Sequence, residues 1–482
     1  MPGGVCTISS GSRSVRGCSR CSEHFQSGQA LLLGLVLLGL AGLAWACSYY
    51  IGHLVHDKVS LVRATDAAVL SAATVQARHL NLHAYLNRAQ LANQLGMIHL
   101  VSLASQERFR ATQAQQSLAM NPPAFVIGMF FGPSYAASYL AAQAGSVSDS
   151  LALQNLESAF QRHDQVIQDT IEQTRRELLR HMITMRNQAL QKVLVRNIGE
   201  SGSSMRGASL AELGLTLEIV RDELKDGIHY FSTQSPVWDS TFKQVIEPYG
   251  YLKPRHLTKQ NIWAVNVRCP HKRHALRRRG QTTVNPNGSF ESSDTLSFHA
   301  IRSNRMIGCY EREYPMGWAQ IDSSAQDQST FPVYGSNSSE QANTAAGQNF
   351  SSQPFWRWVK NQAIPGWNIF NGQDNQLARL WSDAQKIRWQ SKAKAGFTDV
   401  KVSQPSYRFD INTSQSFKFL AQRKNKTGFG GRFNFIDVHP SDMLRAQSSS
   451  QTYFVRPDAR KDGKEESPNL FHPYWHARLV SR

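Results

Sequence analysis

The chain has 482 residues, with 53 Lys and Arg against 35 Asp and Glu and a formal net charge of +18. That length excludes a chain too small to bury its own core and admits two or three domains. The basic balance favours anionic partners, namely nucleic acid, lipid head groups or acidic polymers, but a basic solvated surface has the same composition.

The leader, residues 1–28, carries Arg13, Arg16 and Arg20 against Glu23, together with Cys6, Cys18 and Cys21. No fold is evident there to fix four tetrahedral ligands, so no metal is expected. From His24 to His56 the sequence has no Asp, Glu, Lys or Arg. Its cleanest part, Ala30 to Gly52, would span roughly 34 Å as a helix, enough for a bilayer with some tilt. The expectation is a transmembrane anchor over 29–55. The leader arginines favour the N-terminus inside and the bulk of the chain outside. Trp45, Tyr49 and Tyr50 lie where interfacial aromatics belong. A cleaved export signal is the rival reading, since Ala44-Trp45-Ala46 has the small-x-small spacing. Against it, apolar residues continue through Tyr49, Tyr50 and Ile51.

The stretch that follows, "KVSLVRATDAAVLSAATVQAR" (58–78), couples to the apolar run. Together, "GQALLLGLVLLGLAGLAW" and "LVRATDAAVLSAA" resemble the N-terminal segment of bacterial Tad/Flp pilus-assembly proteins of the TadE/TadG-like type, over about residues 28–95. The matching positions are Gly28, Gln29, Ala30, and then Ala64, Thr65, Asp66, Ala67 and Ala68. The resemblance implies an inner-membrane, single-pass component of a pilus or secretion apparatus with its bulk in the periplasm. It also implies that Gly28, Gln29, Ala30, Thr65, Asp66 and Ala67 pack against partner subunits. Prepilins carry Glu five residues into the mature chain. Leu33 stands there in this chain, so the leader and anchor are expected to be retained. The stretch Asp322-Ser323-Ser324-Ala325-Gln326 lacks the last Ser of the family's metal-binding loop, and no metal site is carried over.

Farther along, helical spacing of Leu82, Leu86, Leu91, Leu95 and Ile98 predicts a long helix over 57–117, with intramolecular packing of its Ala-rich face expected ahead of docking on another subunit. Pro122-Pro123 breaks it, and the uncharged 121–142 reads as a buried or membrane-surface hairpin, with a second crossing as the alternative. A soluble helix is expected over 148–198, with an apolar seam from Leu156 and Phe160 through Met182, Met185, Ala189 and Val193. Residues 199–209 read as a linker, and 209–231 as a further helix through Leu213, Leu217, Val220 and Leu224. These helices make a periplasmic helical region, 57–231.

A C-terminal α+β domain, 235–482, is expected to contain antiparallel strands at 263–269, 296–300, 405–411 and 417–420, with a turn at 285–288. Residues 322–353 read as a flexible loop, the Gly428–Gly431 cluster as a turn, and the last 30 residues as loop. The overall fold class is therefore α+β: a transmembrane helix continuing into a long helical region, then an antiparallel-β domain. If the chain beyond residue 55 is extracytoplasmic, Cys269 and Cys309 are an isolated pair in an oxidising compartment and a disulfide is expected between them.

No phosphate-cradling loop, His-Glu-x-x-His or Gly-x-Ser-x-Gly occurs. No catalytic residue and no cofactor is expected. The run "RCPHKRHALRRRG" (268–280) has no interleaved aromatic platform, so anionic lipid or envelope polymer at Arg277, Arg278 and Arg279 is expected rather than nucleic acid. The functional expectation is a non-enzymatic, membrane-anchored assembly component. The alternative is a secreted or anchored envelope protein, an enzyme included, with a cleaved signal peptide.

Overall fold

An Ala-rich segment with no proline can propagate as helix without interruption, and the computed structural model carries one, α1, over Gln29–Leu118. The structure describes residues 29–145, 149–199, 209–225, 227–232, 241–242, 244–245, 247–284, 289–304, 308–323, 386–391, 396–400, 406–416, 443–458, 463 and 465–481. The chain forms two compact units, Met1–Arg63 and Ala64–Arg482. The boundary expected near residue 231 therefore does not separate two bodies: helices and sheets beyond Arg63 share one unit. Their cores are mixed, as where Leu91, Ile98 and Phe160 from helices meet Phe290, Ile321 and Trp389.

In the first unit the described residues are the opening of α1. In the second, α1 continues to Leu118. Pro122 and Pro123 cannot donate the next helical hydrogen bonds. The chain then forms α2 (Ala124–Phe131) and α3 (Pro133–Ala141), turned at Gly132, whose φ of 102° suits glycine. This hairpin is half covered: Ala124, Val126, Ile127 and Tyr139 pack with Leu276, Phe298 and Tyr314. A run of helix follows, α4 (Asp149–Gln165), a π-turn (Val166–Glu172) and α5 (Gln173–Gly199).

Eleven strands are described in three sheets. The first sheet orders β1 (Leu215–Asp222), β9 (Ser406–Ser416), β10 (Met443–Phe454) and β11 (Trp475–Leu479), all antiparallel. The second pairs β2 (Ile228–Ser232) with β8 (Gly396–Val400). The third orders β3 (Leu257–Gln260), β4 (Ala275–Val284), β5 (Phe290–Asn304), β6 (Gly308–Asp322) and β7 (Lys386–Arg388), with only β6–β7 parallel. Long helix and antiparallel sheets together make the fold α+β.

Five expectations need correction. Residues 209–231 are not a helix. A turn at Ala211–Gly214, where Gly214 has φ 58°, stops helix propagation, and the alternating Leu215, Leu217 and Ile219 join β9 as an edge strand. Residues 263–269 are not a strand, because the β3–β4 ladder ends at Gln260 and Ala275 and turns follow. The last 30 residues contain β11, held against β10. The apolar seam of 148–198 holds at Phe160, Ile167, Ile171 and Met182. It then passes to Arg186, Leu190 and Leu194, leaving Met185 51% exposed. The expected loop over 322–353 begins ordered: Asp322 ends β6, and the buried Ser323 hydroxyl donates to Phe290 O at 2.8 Å. The leader, the rest of that loop, the turn at 285–288, 417–420 and 428–431 lie outside the described residues, as does the linker beyond Gly199 apart from Ser209.

Candidate functional site

Two features of α1 are candidates for function, one in each unit. In the first unit the helix is long and apolar enough to cross a membrane, and none of its most apolar window is buried within the chain. A core helix is covered on most sides; here Leu31, Leu38 and Trp45 are each more than two-thirds exposed. Gly34, Gly39 and Gly42 have nothing within 4 Å of an added Cβ. Such an apolar surface in water would cost tens of kilocalories per mole at about 25 cal/mol per Å². Trp45, Tyr49 and His53 form a ring ladder, with centroids 6.2 Å apart for Trp45–Tyr49 and 4.4 Å for Tyr49–His53. Gln29 and Ala30 open α1, and Gly28 lies outside the described residues.

In the second unit α1 presents a seam of small residues, Ala68, Ala72, Ala73 and Ala84, all completely buried. Small side chains let strands approach the helix closely. At Gly317 on β6 an added Cβ would lie 2.8 Å from Gln113 Cβ and 3.0 Å from Phe109 O. Between the alanines stand polar side chains that bond to the main chain of strands. Asn81 donates to Trp475 O at 3.0 Å and accepts from Trp475 N at 2.9 Å. Asn87 donates to Thr398 O at 2.7 Å and accepts from Thr398 N at 3.4 Å. Thr112 donates to Trp318 O at 2.7 Å and accepts from Trp318 N at 2.6 Å. Each residue engages both backbone groups of one strand residue, and the three strands belong to three different sheets. Buried backbone groups must be paired somewhere, and here a helix side chain performs the role of a neighbouring strand.

A buried charge cluster surrounds Asn87. The fully buried Arg175 donates to Glu172 at 2.7 Å, to Gly396 O at 2.8 Å, to Asn87 Oδ1 at 3.3 Å and to Gln90 Oε1. His83 meets the Thr398 hydroxyl at 3.3 Å. Burial, reinforced by Arg175 and His79, lowers the His83 pKa to about 4. Burial raises the Asp399 pKa to about 6, against the opposing pull of Val400 N and Leu470 N on its carboxylate. No group of three or more His, Cys, Asp and Glu capable of holding a metal occurs among the described residues.

Of the residues expected to pack against partners, Thr65 is completely buried within the chain and meets the Thr413 hydroxyl at 2.6 Å. Its β-branched side chain closes the seam internally, so it is not available to another subunit. Asp66 and Ala67 are half-buried beside it. The three arginines expected to make one anionic-ligand site are divided by strand alternation on β4. Arg279 is 5% exposed, and Arg278 stacks over the Phe109 ring at 5.6 Å from its centroid. Cys269 is buried and disulfide-bonded. Cys309 stands on β6 opposite Ser303, its side chain outside the described residues. Asn81, Asn87, Thr112 and Arg175 escaped the sequence reading. Their signal is present in hindsight as polar, helix-indifferent residues recurring inside an Ala-rich run.

No family model, curated protein or solved structure matches this chain.

Proposed function

We propose that the chain is a non-enzymatic, single-pass component of a Tad/Flp-type pilus-assembly or secretion apparatus, anchored by α1 in the inner membrane with residues 64–482 in the periplasm. The observation that carries the anchor is the unburied, charge-free opening of α1. The resemblance of residues 28–95 supplies the apparatus. Disulfide bonding of Cys269 supports the oxidising side of the membrane, and Cys309 is its proposed partner. His274 Nδ1 accepts from Ile301 N, which brings the base of the Cys269 loop to the end of the sheet where Cys309 pairs with Ser303. With Thr65 buried internally, Gly28, Gln29, Ala30, Asp66 and Ala67 remain the proposed partner-facing positions.

Protease added to spheroplasts tests the topology, and a photo-crosslinking residue at Asp66 tests assembly. The expected result is digestion of the 64–482 unit from outside and a crosslink to a second membrane-tethered subunit. Protection of that unit would refute the orientation. Crosslinks confined to this chain would refute packing through Asp66.

A further inference from the structure

The hairpin loop between β3 and β4 goes beyond the anchor. It is clipped by Asn261 N to His274 O at 3.0 Å and by Val265 N to Lys272 O at 3.2 Å. Its tip turns where Cys269 N donates to Asn266 O at 2.8 Å. The disulfide at Cys269 pins it further. A loop fixed in this way nevertheless turns apolar side chains to solvent: Ile262 is 83% exposed, Trp263 56% and Val267 94%. Hydrophobic exposure of that degree on a constrained loop has a cost that water does not repay. The sequence that carries the loop is basic, although Arg255 within it is paired with Asp294 of β5 at 3.0 Å. Between Glu247 and Glu291 there are nine Lys and Arg and no Asp or Glu. Arg268 and Lys272 are exposed beside the apolar tip. At the base of the loop, His274 packs against Phe130 of the charge-free α2–α3 hairpin with ring centroids 4.2 Å apart.

Aliphatic side chains and an indole inside a cationic frame match an anionic bilayer surface, where Trp sits at head-group depth and each Lys or Arg gains from the surface potential. Nucleic acid and acidic polymers complement the charge but have no use for Ile262 and Val267. We infer that the 261–274 loop docks on an anionic phospholipid surface, inserting Ile262, Trp263 and Val267 between head groups that Arg268 and Lys272 contact. This replaces the Arg277–Arg279 run as the lipid-facing site, and it is independent of whether α1 is the anchor.

The test holds α1 apart. Full-length chain is reconstituted in phosphatidylcholine nanodiscs and co-sedimented with separate vesicles, either of phosphatidylcholine alone or doped with phosphatidylglycerol. The expected result is sedimentation with the doped vesicles only. The double variant Arg268→Glu/Lys272→Glu should weaken it by roughly tenfold or more, and Ile262→Ser/Val267→Ser by roughly tenfold. These side chains are exposed, so both variants keep the fold, as unchanged circular dichroism would verify. Absence of sedimentation in the parent overturns the inference. Loss in the Glu variant with none in the Ser variant, together with equal binding to dextran sulfate, overturns it in favour of an anionic polymer.

Discussion

Arg186 is 1% exposed at its side chain and grips Asp222 with two 2.7 Å hydrogen bonds, its guanidinium 4.3 Å from the Phe409 ring centroid. Removing one partner leaves the other carboxylate stranded. Arg186→Ala should therefore cost about 3–5 kcal/mol in urea unfolding, and Asp222→Asn in the same background should recover part of the loss. Additive losses would show that the pair is not coupled. Asp399 sets a pH signature. Its folded pKa of about 6 stands above the ordinary 3.8, so between those values the folded state holds a proton that the unfolded chain has released. Its contribution is fully present below 3.8 and is lost as pH rises through 6. The parent should thus gain about 2 kcal/mol on Asp399→Asn as pH falls from 7 to 4, and a pH-independent difference would contradict the burial argument. His83 and His274, both lowered to about 4, act oppositely and destabilise on acidification in parent and variant alike. At this scale the sequence was hardest to read. Arg175 and Arg186 occur among Glu and Gln on an amphipathic helix, where charge ordinarily means solvent, and only distant strands reveal their acceptors.

Elements were more legible. The proline-free Ala-rich run, the Pro122-Pro123 stop, the hairpin and the long helix from Asp149 all follow from periodicity and breakers. The seam after Met182 did not: the buried positions step by four to Arg186, Leu190 and Leu194, one residue beyond Met185, Ala189 and Val193. Residues 209–231 misled as well: Leu213, Leu217, Val220 and Leu224 fit a helix, while the partner strand that overrides the pattern lies nearly two hundred residues away. The α1 contacts with the sheets give a prediction of their own. Asn81→Ala removes both partners of the Trp475 backbone and should cost about 2 kcal/mol. Gly317→Ala, forced against Gln113 and Phe109 O, should cost about 1–3 kcal/mol. Thermal unfolding checks both, and a change within error would show that α1 and the strands yield freely.

For the whole molecule, residue patterning announced an α+β chain with a charge-free opening to its first helix, and both are present. The single unit spanning 64–482 was not foreseen, because the contacts that fuse helices to sheets join residues up to 394 positions apart. Such pairings leave no local mark. The identity of the apolar opening of α1 as a permanent anchor underlies the proposed role. Alkaline carbonate extraction of the full-length chain from its own membranes, with N-terminal sequencing of the recovered protein, tests it most directly. The account predicts a pelleted chain that begins within residues 1–28. A soluble chain beginning at or near Cys47 would contradict it.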